Sequence, residues 1–279
     1  MKSAWFAAGI MVAVLVNTSV ALAQPKPAAK GEFQPYSGQP GKDVVWVPTP
    51  ESVVNKMLDL AKLTPQDFLV DLGSGDGRTV IAAAKKGVRA LGVEYNPDMV
   101  TISNREAARA GVTDNVKFVN GDIFATDFSQ ATVLTMYLLP SLNVRLRPTV
   151  LDMKPGTRVV SHAFNMAEWE PDETANVEGR QAFLWLVPAK VGGNWTVQLA
   201  GQARELTLQQ TFQMLSGSLK SGAESAVLND ARMRGEEIRF AILESGVKRE
   251  FAGRAQGNSM GGSVKTAGQP DASWTASRR

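Results

Sequence analysis

Between residues 49 and 163 the apolar positions follow two alternating rhythms. Val53, Val54, Met57, Leu58 and Ala61 repeat at helical spacing behind Thr49-Pro50-Glu51. That triplet reads as a cap, a proline at the first helical position and an acid in the first turn. Residues 68–72 are a short apolar run that stops at Gly73-Ser74-Gly75-Asp76-Gly77, and residues 79–86 return to the helical rhythm. Residues 90–93 predict a second strand ending at Glu94. Asn96-Pro97-Asp98 then opens a helix that reaches Ala110. Residues 116–119, 133–139 and 157–163 predict three more buried strands, and a helix over 142–153 is kinked or interrupted by Pro148. Strands and helices alternating through short connections predict a parallel sheet with helices on both faces.

From Asn194 the period changes. Residues 195–199, 205–210, 214–219, 226–233, 237–242, 248–254, 259–265 and 273–277 are short strand-like runs, most of them punctuated by Gly, Asn, Asp or Ser. Their spacing of roughly 8–12 residues predicts an all-β module. Gly217, Gly253 and Gly262 sit in or beside strands, as at the bends of a small curved sheet. Eight runs predict an antiparallel up-and-down barrel or a sandwich. The pattern resembles the lipocalin-like β-modules appended to exported bacterial proteins, with Gly-Asn-Ser-Met-Gly-Gly and Ser-Trp-Thr-Ala-Ser-Arg near the end.

The first residues follow neither rhythm. Met1-Lys2-Ser3 is a short positive start, residues 4–16 are an unbroken apolar run, and Ala21-Leu22-Ala23 offers small residues at a cleavage site. Residues 1–23 therefore read as a signal peptide, Gln24 as the mature N-terminus and the protein as periplasmic or exported. An uncleaved membrane anchor is the alternative, but the run falls short of the roughly 20 apolar residues a span needs. Residues 24–43, rich in Pro, Gly and Lys, read as a flexible linker. Residues 44–190 and 191–279 are then an α/β domain and a β-module.

Composition removes several chemistries. The chain has 279 residues, 44% of them hydrophobic and 20% charged, so it is globular rather than disordered. Residues 44–190 hold 15 basic and 17 acidic side chains, a balance with no electrostatic footprint for nucleic acid. There is no cysteine and one histidine, His162, so thiolate metal sites, a Cys nucleophile and a multi-histidine metal site are excluded. No metal is expected.

The chemistry lies at the ends of the first three strands. A glycine loop between strand and helix brings backbone amides close to a ligand. It departs from the G-x-G-x-x-G of nicotinamide dinucleotide sites, because the third glycine falls one residue early and Arg78 holds the sixth position. No Gly-Lys-Ser/Thr follows, which excludes a P-loop. Asp71, two residues before the first glycine, suits a cationic ammonium better than a pyrophosphate. Glu94, 23 residues later, stands near the spacing at which an acid chelates ribose hydroxyls. Asp122, after the third strand, can accept from an adenine amino group. Ammonium, ribose and adenine in chain order describe S-adenosylmethionine.

These residues resemble the class I, seven-strand S-adenosylmethionine-dependent methyltransferases, and the resemblance covers about residues 44–190. Asp71-Leu-Gly73-Ser74-Gly75-Asp76-Gly77-Arg-Thr is similar to their glycine motif, Gly92-Val-Glu94-Tyr95-Asn96-Pro97 to their ribose motif, and Gly121-Asp122-Ile123 to their adenine motif. Val47-Pro-Thr-Pro-Glu-Ser-Val-Val and Tyr137-Leu-Leu-Pro140 look like the small protein-lysine methyltransferases related to the mitochondrial enzymes acting on the adenine nucleotide translocase and an ATP synthase subunit. The resemblance implies a Rossmann-like fold, S-adenosyl-L-methionine as cofactor and a protein lysine as methyl acceptor. The export signal and the β-module depart from those mitochondrial enzymes.

A lysine acceptor must shed its proton, which a hydrophobic channel favours. Tyr137, Pro140 and His162 are the expected channel lining, beside Trp46, Thr49 and Phe164. The second reading is an exported binding protein that keeps the fold without turnover. The β-module is expected to hold an envelope partner.

Overall fold

The structure, a computed structural model, describes residues 33–43 and 45–279. The expected signal peptide and residues 24–32 of the expected linker lie outside the described residues. Five parallel strands, β1 (Phe68–Leu72), β2 (Arg89–Glu94), β3 (Val116–Asn120), β4 (Val133–Met136) and β5 (Arg158–His162), lie side by side in the order β3-β2-β1-β4-β5. The five strands expected to be parallel are so, and beyond β5 the sheet continues with two antiparallel strands that the expectation did not cover. β6 (Glu173–Val177) and β7 (Arg180–Leu186) form a hairpin, with β7 antiparallel to β5 and β6 at the edge. Glu178 and Gly179, both at positive φ, make its two-residue turn. Neither strand is predicted by the pattern of apolar positions.

Alternation along each strand divides the core. Leu69, Val133, Val160 and Leu184 face α1 (Glu51–Leu60) and α2 (Arg78–Lys85), whose Val53, Met57, Val80 and Ala84 complete one layer. Val70, Leu134, Val159 and Phe183 face the other way, onto Leu146 and Val150 of α4 (Pro140–Leu151). α4 begins two residues before the predicted start and runs through Pro148. α3 (Pro97–Arg109) starts as predicted, with the Asn96 side chain accepting from the Asp98 amide at 2.9 Å. Helices thus cover both faces, as expected.

The second sheet closes on itself. β8 (Gly193–Leu199), β9 (Gln202–Thr211), β10 (Met214–Ser221), β11 (Glu224–Val227), β12 (Asn229–Arg234), β13 (Glu237–Glu244), β14 (Val247–Gln256), β15 (Ser259–Thr266) and β16 (Ala272–Arg278) form an antiparallel meander. β16 returns to pair with β8. β11 and β12 both lie against β10 as one interrupted strand, and the pairing of β12 with β13 shifts register between Asn229 and Arg232, so the closed barrel has eight strands. The eight predicted runs map onto them one for one, and the barrel form replaces the sandwich. Trp195, Leu206, Phe240, Phe251 and Trp274 fill the interior. Gly217 lets β9 and β10 pair closely, since a Cβ there would lie 1.8 Å from the Thr207 carbonyl oxygen.

Residues 35–279 are one compact unit. One end of the barrel meets the α/β sheet. Ala189 donates to the Gly235 carbonyl at 2.8 Å, Gln213 Nε2 donates to the Glu170 carbonyl at 2.7 Å, and Arg234 pairs with Glu173. Ala189 already packs in the barrel core, just before the expected boundary after residue 190. Among the described residues no helix is long and apolar enough to cross a membrane.

Candidate active site

Open α/β sheets bind ligands beyond the carboxyl ends of their strands, where the strand order reverses. Here β1 lies between β2 and β4, which extend the sheet in opposite directions, and a cavity of about 530 Å3 opens at that point. Its size falls within the range of roughly 300–1,000 Å3 usual for small-molecule sites. The glycine loop forms its floor, Glu94 to Asn96 and Gly121 to Ile123 one side, Tyr137, Leu138 and Phe164 the other.

The roof comes from a segment that composition assigned to the linker. Gln39–Pro40 pairs antiparallel with Val45–Trp46, and residues 39–43 line the cavity together with Trp46 and Thr49. Trp46 approaches the glycine loop so closely that a Cβ on Gly75 would lie 2.4 Å from its indole nitrogen. Gly75 also has φ +55, a conformation that side chains rarely adopt, so the position has two reasons to be glycine.

Each acid is held differently. The Asp71 side chain is buried and accepts from the Thr135 hydroxyl at 2.7 Å. Burial pushes its pKa up to about 7. Glu94 accepts from the Gly75 amide at 2.8 Å and from the Asn96 amide at 2.9 Å, which ties the loop to the start of α3. Asp76 holds Arg78, whose Nη1 donates to the Thr49 carbonyl at 2.9 Å. Asp122 accepts from Lys42 Nζ at 2.6 Å, and that bond keeps its carboxyl below the usual range and raises Lys42 above its own. The Lys42 ammonium also sits over the Tyr95 ring, 4.7 Å from its centroid.

Of the residues expected to bind cofactor, Asp71, Gly73, Ser74, Gly75, Asp76, Glu94, Tyr95, Asn96, Asp122 and Ile123 all line the cavity. Gly77 does not. A Cβ there would meet Phe118 and Ser103 within 3 Å, so this glycine lets the loop pack on the sheet. Of Tyr137, Pro140 and His162, only Tyr137 is in the wall. Pro140 is exposed at the first turn of α4 and lies outside the cavity. His162 is buried behind Tyr137, with ring centroids 4.0 Å apart, and touches the wall through Tyr137 and through Thr49, whose Oγ1 is 3.1 Å from its Nδ1. Burial, with the charge of Arg180, lowers its pKa to about 4 and keeps the ring neutral. The sequence reading missed Gln39 and Lys42, because a Pro- and Lys-containing stretch carries no local sign of folding back over a site whose acids lie tens of residues further on.

The comparisons with known proteins agree with this geometry. Residues 71–173 match the model of the ANTKMT methyltransferase domain. The protein-lysine N-methyltransferase of Saccharolobus islandicus (strain REY15A) is 45% identical over 138 residues, covering 48% of this chain and 86% of that protein. The chain belongs to this methyltransferase family.

Members of the family take S-adenosyl-L-methionine as cofactor, and this chain is an S-adenosylmethionine-dependent methyltransferase. A Mus musculus lysine N-methyltransferase named for an ATP synthase component is 41% identical over 107 residues, 38% of this chain and 43% of that protein. The chain thus spans less than half the length of the mouse relative. An RNA methyltransferase from Salinibacter ruber, crystallised with S-adenosyl-L-homocysteine, is 49% identical and covers 52% of this chain and 96% of that one, with a TM-score of 0.51. The relatives' names give no specific support to a form without turnover.

The donor set fits the cofactor. A buried acid held by a hydroxyl donor is complementary to an ammonium. Ser74 Oγ, buried in the loop without a hydrogen-bond partner, is a further polar group to be satisfied. When bound, S-adenosylmethionine supplies an electrophilic methyl group on sulfonium sulfur.

Proposed function

We propose that the chain transfers methyl groups to the side-chain amine of a protein lysine. The observation that carries this reading is the uncharged wall made by Thr49, Tyr137 and Phe164, backed by a neutral His162. Such a wall desolvates an ammonium and lowers its pKa, so the amine enters with its lone pair free. The names of the archaeal and mouse relatives, both lysine methyltransferases, support the same acceptor. In this reading Asp71 receives the ammonium of the cofactor, Glu94 with Tyr95 and Asn96 the ribose, and Asp122 with Ile123 the adenine. Gly73, Ser74, Gly75 and Asp76 bring the loop against the cofactor. The contribution of these residues is positioning and exclusion of water, because displacement at a methyl group needs no acid to assist the leaving sulfur.

The acceptor is tested by incubating the full chain with methyl-tritiated cofactor and cell-envelope extract, then with total RNA. Methyl-lysine identified by mass spectrometry is the expected product, and label confined to RNA would overturn the reading.

We further propose that the protein works outside the cytoplasm, beginning at Gln24, and that residues 44–190 and 191–279 divide its labour. The order of charge, apolar run and Ala-Leu-Ala at the start supports export. The cavity takes every one of its lining residues from 39–164, which leaves the barrel free to hold an envelope partner. Fractionation with N-terminal sequencing decides the compartment. A full-length cytoplasmic species as the main form would reject export.

A further inference from the structure

We propose that the Thr49 hydroxyl, held in place by His162, is the group that orients the methyl acceptor. The inference rests on the lysine-methyltransferase reading and adds a residue to it. Thr49 stands just before α1, where a threonine usually caps the helix. It does not do so. The N-cap is Pro50, with no side-chain cap, and the amides of Val53 and Val54 both go to the Pro50 carbonyl at 3.0 Å.

Thr49 is instead fixed from two directions. Its carbonyl accepts from Arg78 Nη1 at 2.9 Å, and Arg78 is itself held by Asp76 in the glycine loop. Its Oγ1 lies 3.1 Å from His162 Nδ1 at the end of β5, and both side chains are buried. Tyr137 packs on the imidazole, with ring centroids 4.0 Å apart, and restrains its rotation. Holding a residue by its backbone on one side and its hydroxyl on the other is how a functional group is fixed in position.

Thr49 lines the cavity and His162 does not, so Thr49 is the member of this pair that a ligand meets. With a neutral ring protonated on Nε2, Nδ1 accepts the Thr49 proton and leaves the oxygen's lone pairs free for an N–H of the acceptor. An uncharged oxygen favours a neutral amine over an ammonium more than a carboxylate would. One N–H held at Thr49 directs the amine. As its lone pair forms the N–CH3 bond, the S–CH3 bond breaks with its electron pair returning to sulfur, and the surplus proton on nitrogen leaves to water.

The chain has a single histidine, so the 15N-histidine-labelled full protein, without an added histidine tag, gives one imidazole signal set. The expected spectrum is that of a neutral ring protonated on Nε2 with Nδ1 accepting. Adding a lysine peptide to the complex with S-adenosylhomocysteine shifts Nδ1. Thr49→Val should lose that shift and lower kcat/KM roughly two- to ten-fold, the range for one hydrogen bond between uncharged groups, at unchanged cofactor Kd. Thr49→Ser should keep both, which separates the hydroxyl from packing. Wild-type kcat/KM in Thr49→Val, equal losses in the two variants, or an imidazolium spectrum overturns the inference while the lysine reading stands. A wild-type protein that methylates no lysine peptide overturns both.

Discussion

Replacing Asp71 with asparagine tests the electrostatics of the cofactor site without touching its shape. Asparagine keeps an oxygen for the Thr135 hydroxyl, 2.7 Å away in the wild type, and removes the ionisable proton. In the folded chain Asp71 holds its proton up to about 7, whereas the unfolded chain releases it near 3.8. Between those values folding takes up a proton, so this group's contribution to stability is fully present at low pH and is lost as pH rises. Each pK unit is worth about 1.36 kcal/mol, and the folded group is itself half titrated at pH 7, so the loss is about 2 kcal/mol between pH 5 and 7. His162 acts in the opposite sense. Its folded pKa of about 4 lies below the usual 6.5, so its contribution is present above pH 6.5 and is lost as pH falls towards 4. The wild type should therefore show a shallow pH dependence over pH 5–6.5, in which two opposed slopes partly cancel. Urea denaturation of both proteins at half-unit steps from pH 5 to 8 isolates the Asp71 slope as the difference between the curves. The D71N variant should gain on the wild type by about 3 kcal/mol across that range and level off above pH 7. Parallel curves would refute the argument. Cofactor binding gives an independent reading. An ammonium beside Asp71 favours the carboxylate, so binding at pH 6 should release a proton, measurable by calorimetry in buffers of different ionisation enthalpy, and D71N should bind weakly without that release.

Three other changes probe the neighbouring parts. Glu94→Ala removes the expected ribose acceptor and the tie to the Gly75 and Asn96 amides. Cofactor affinity by calorimetry should fall at least roughly ten-fold, the value of one hydrogen bond to a charged group, and unchanged affinity would remove the ribose assignment. Lys42→Ala frees Asp122 and the Tyr95 face, so equilibrium dialysis should show cofactor binding tightened by up to about five-fold, the ceiling for an exposed ion pair. Weaker binding would mean that Lys42 assists the adenine rather than competing with it. Gly217→Ala places a methyl against the Thr207 carbonyl and should lower the melting temperature of the barrel while leaving cofactor affinity intact. A coupled loss of affinity would contradict the division of labour proposed for the two parts.

What could be read from the chain alone was whatever repeats or clusters locally. Strand β1, the glycine loop and the Asn96 cap of α3 each occupy a few consecutive residues, and the eight barrel runs carry a two-residue period interrupted by turn residues, so each was legible. The three acids were legible because chain order maps onto strand ends in a parallel sheet. The hairpin of β6 and β7 was not, since β7 is buried on both faces between β5 and β6, and Ala182 to Trp185 shows no alternation to distinguish it from other apolar text. Nor were the partners of the site's side chains. Lys42 meets Asp122 across 80 residues and Thr49 meets His162 across 113, and no local rule predicts such pairings. Thr49 shows the competition most clearly. Its neighbours Pro50 and Glu51 argue for a helix cap, and tertiary packing turned the same hydroxyl away from the helix and towards an imidazole on a distant strand. Secondary structure and the cofactor motif follow from short-range sterics and periodicity, whereas the roof over the cavity and the wall that faces the acceptor exist only once distant segments have packed together.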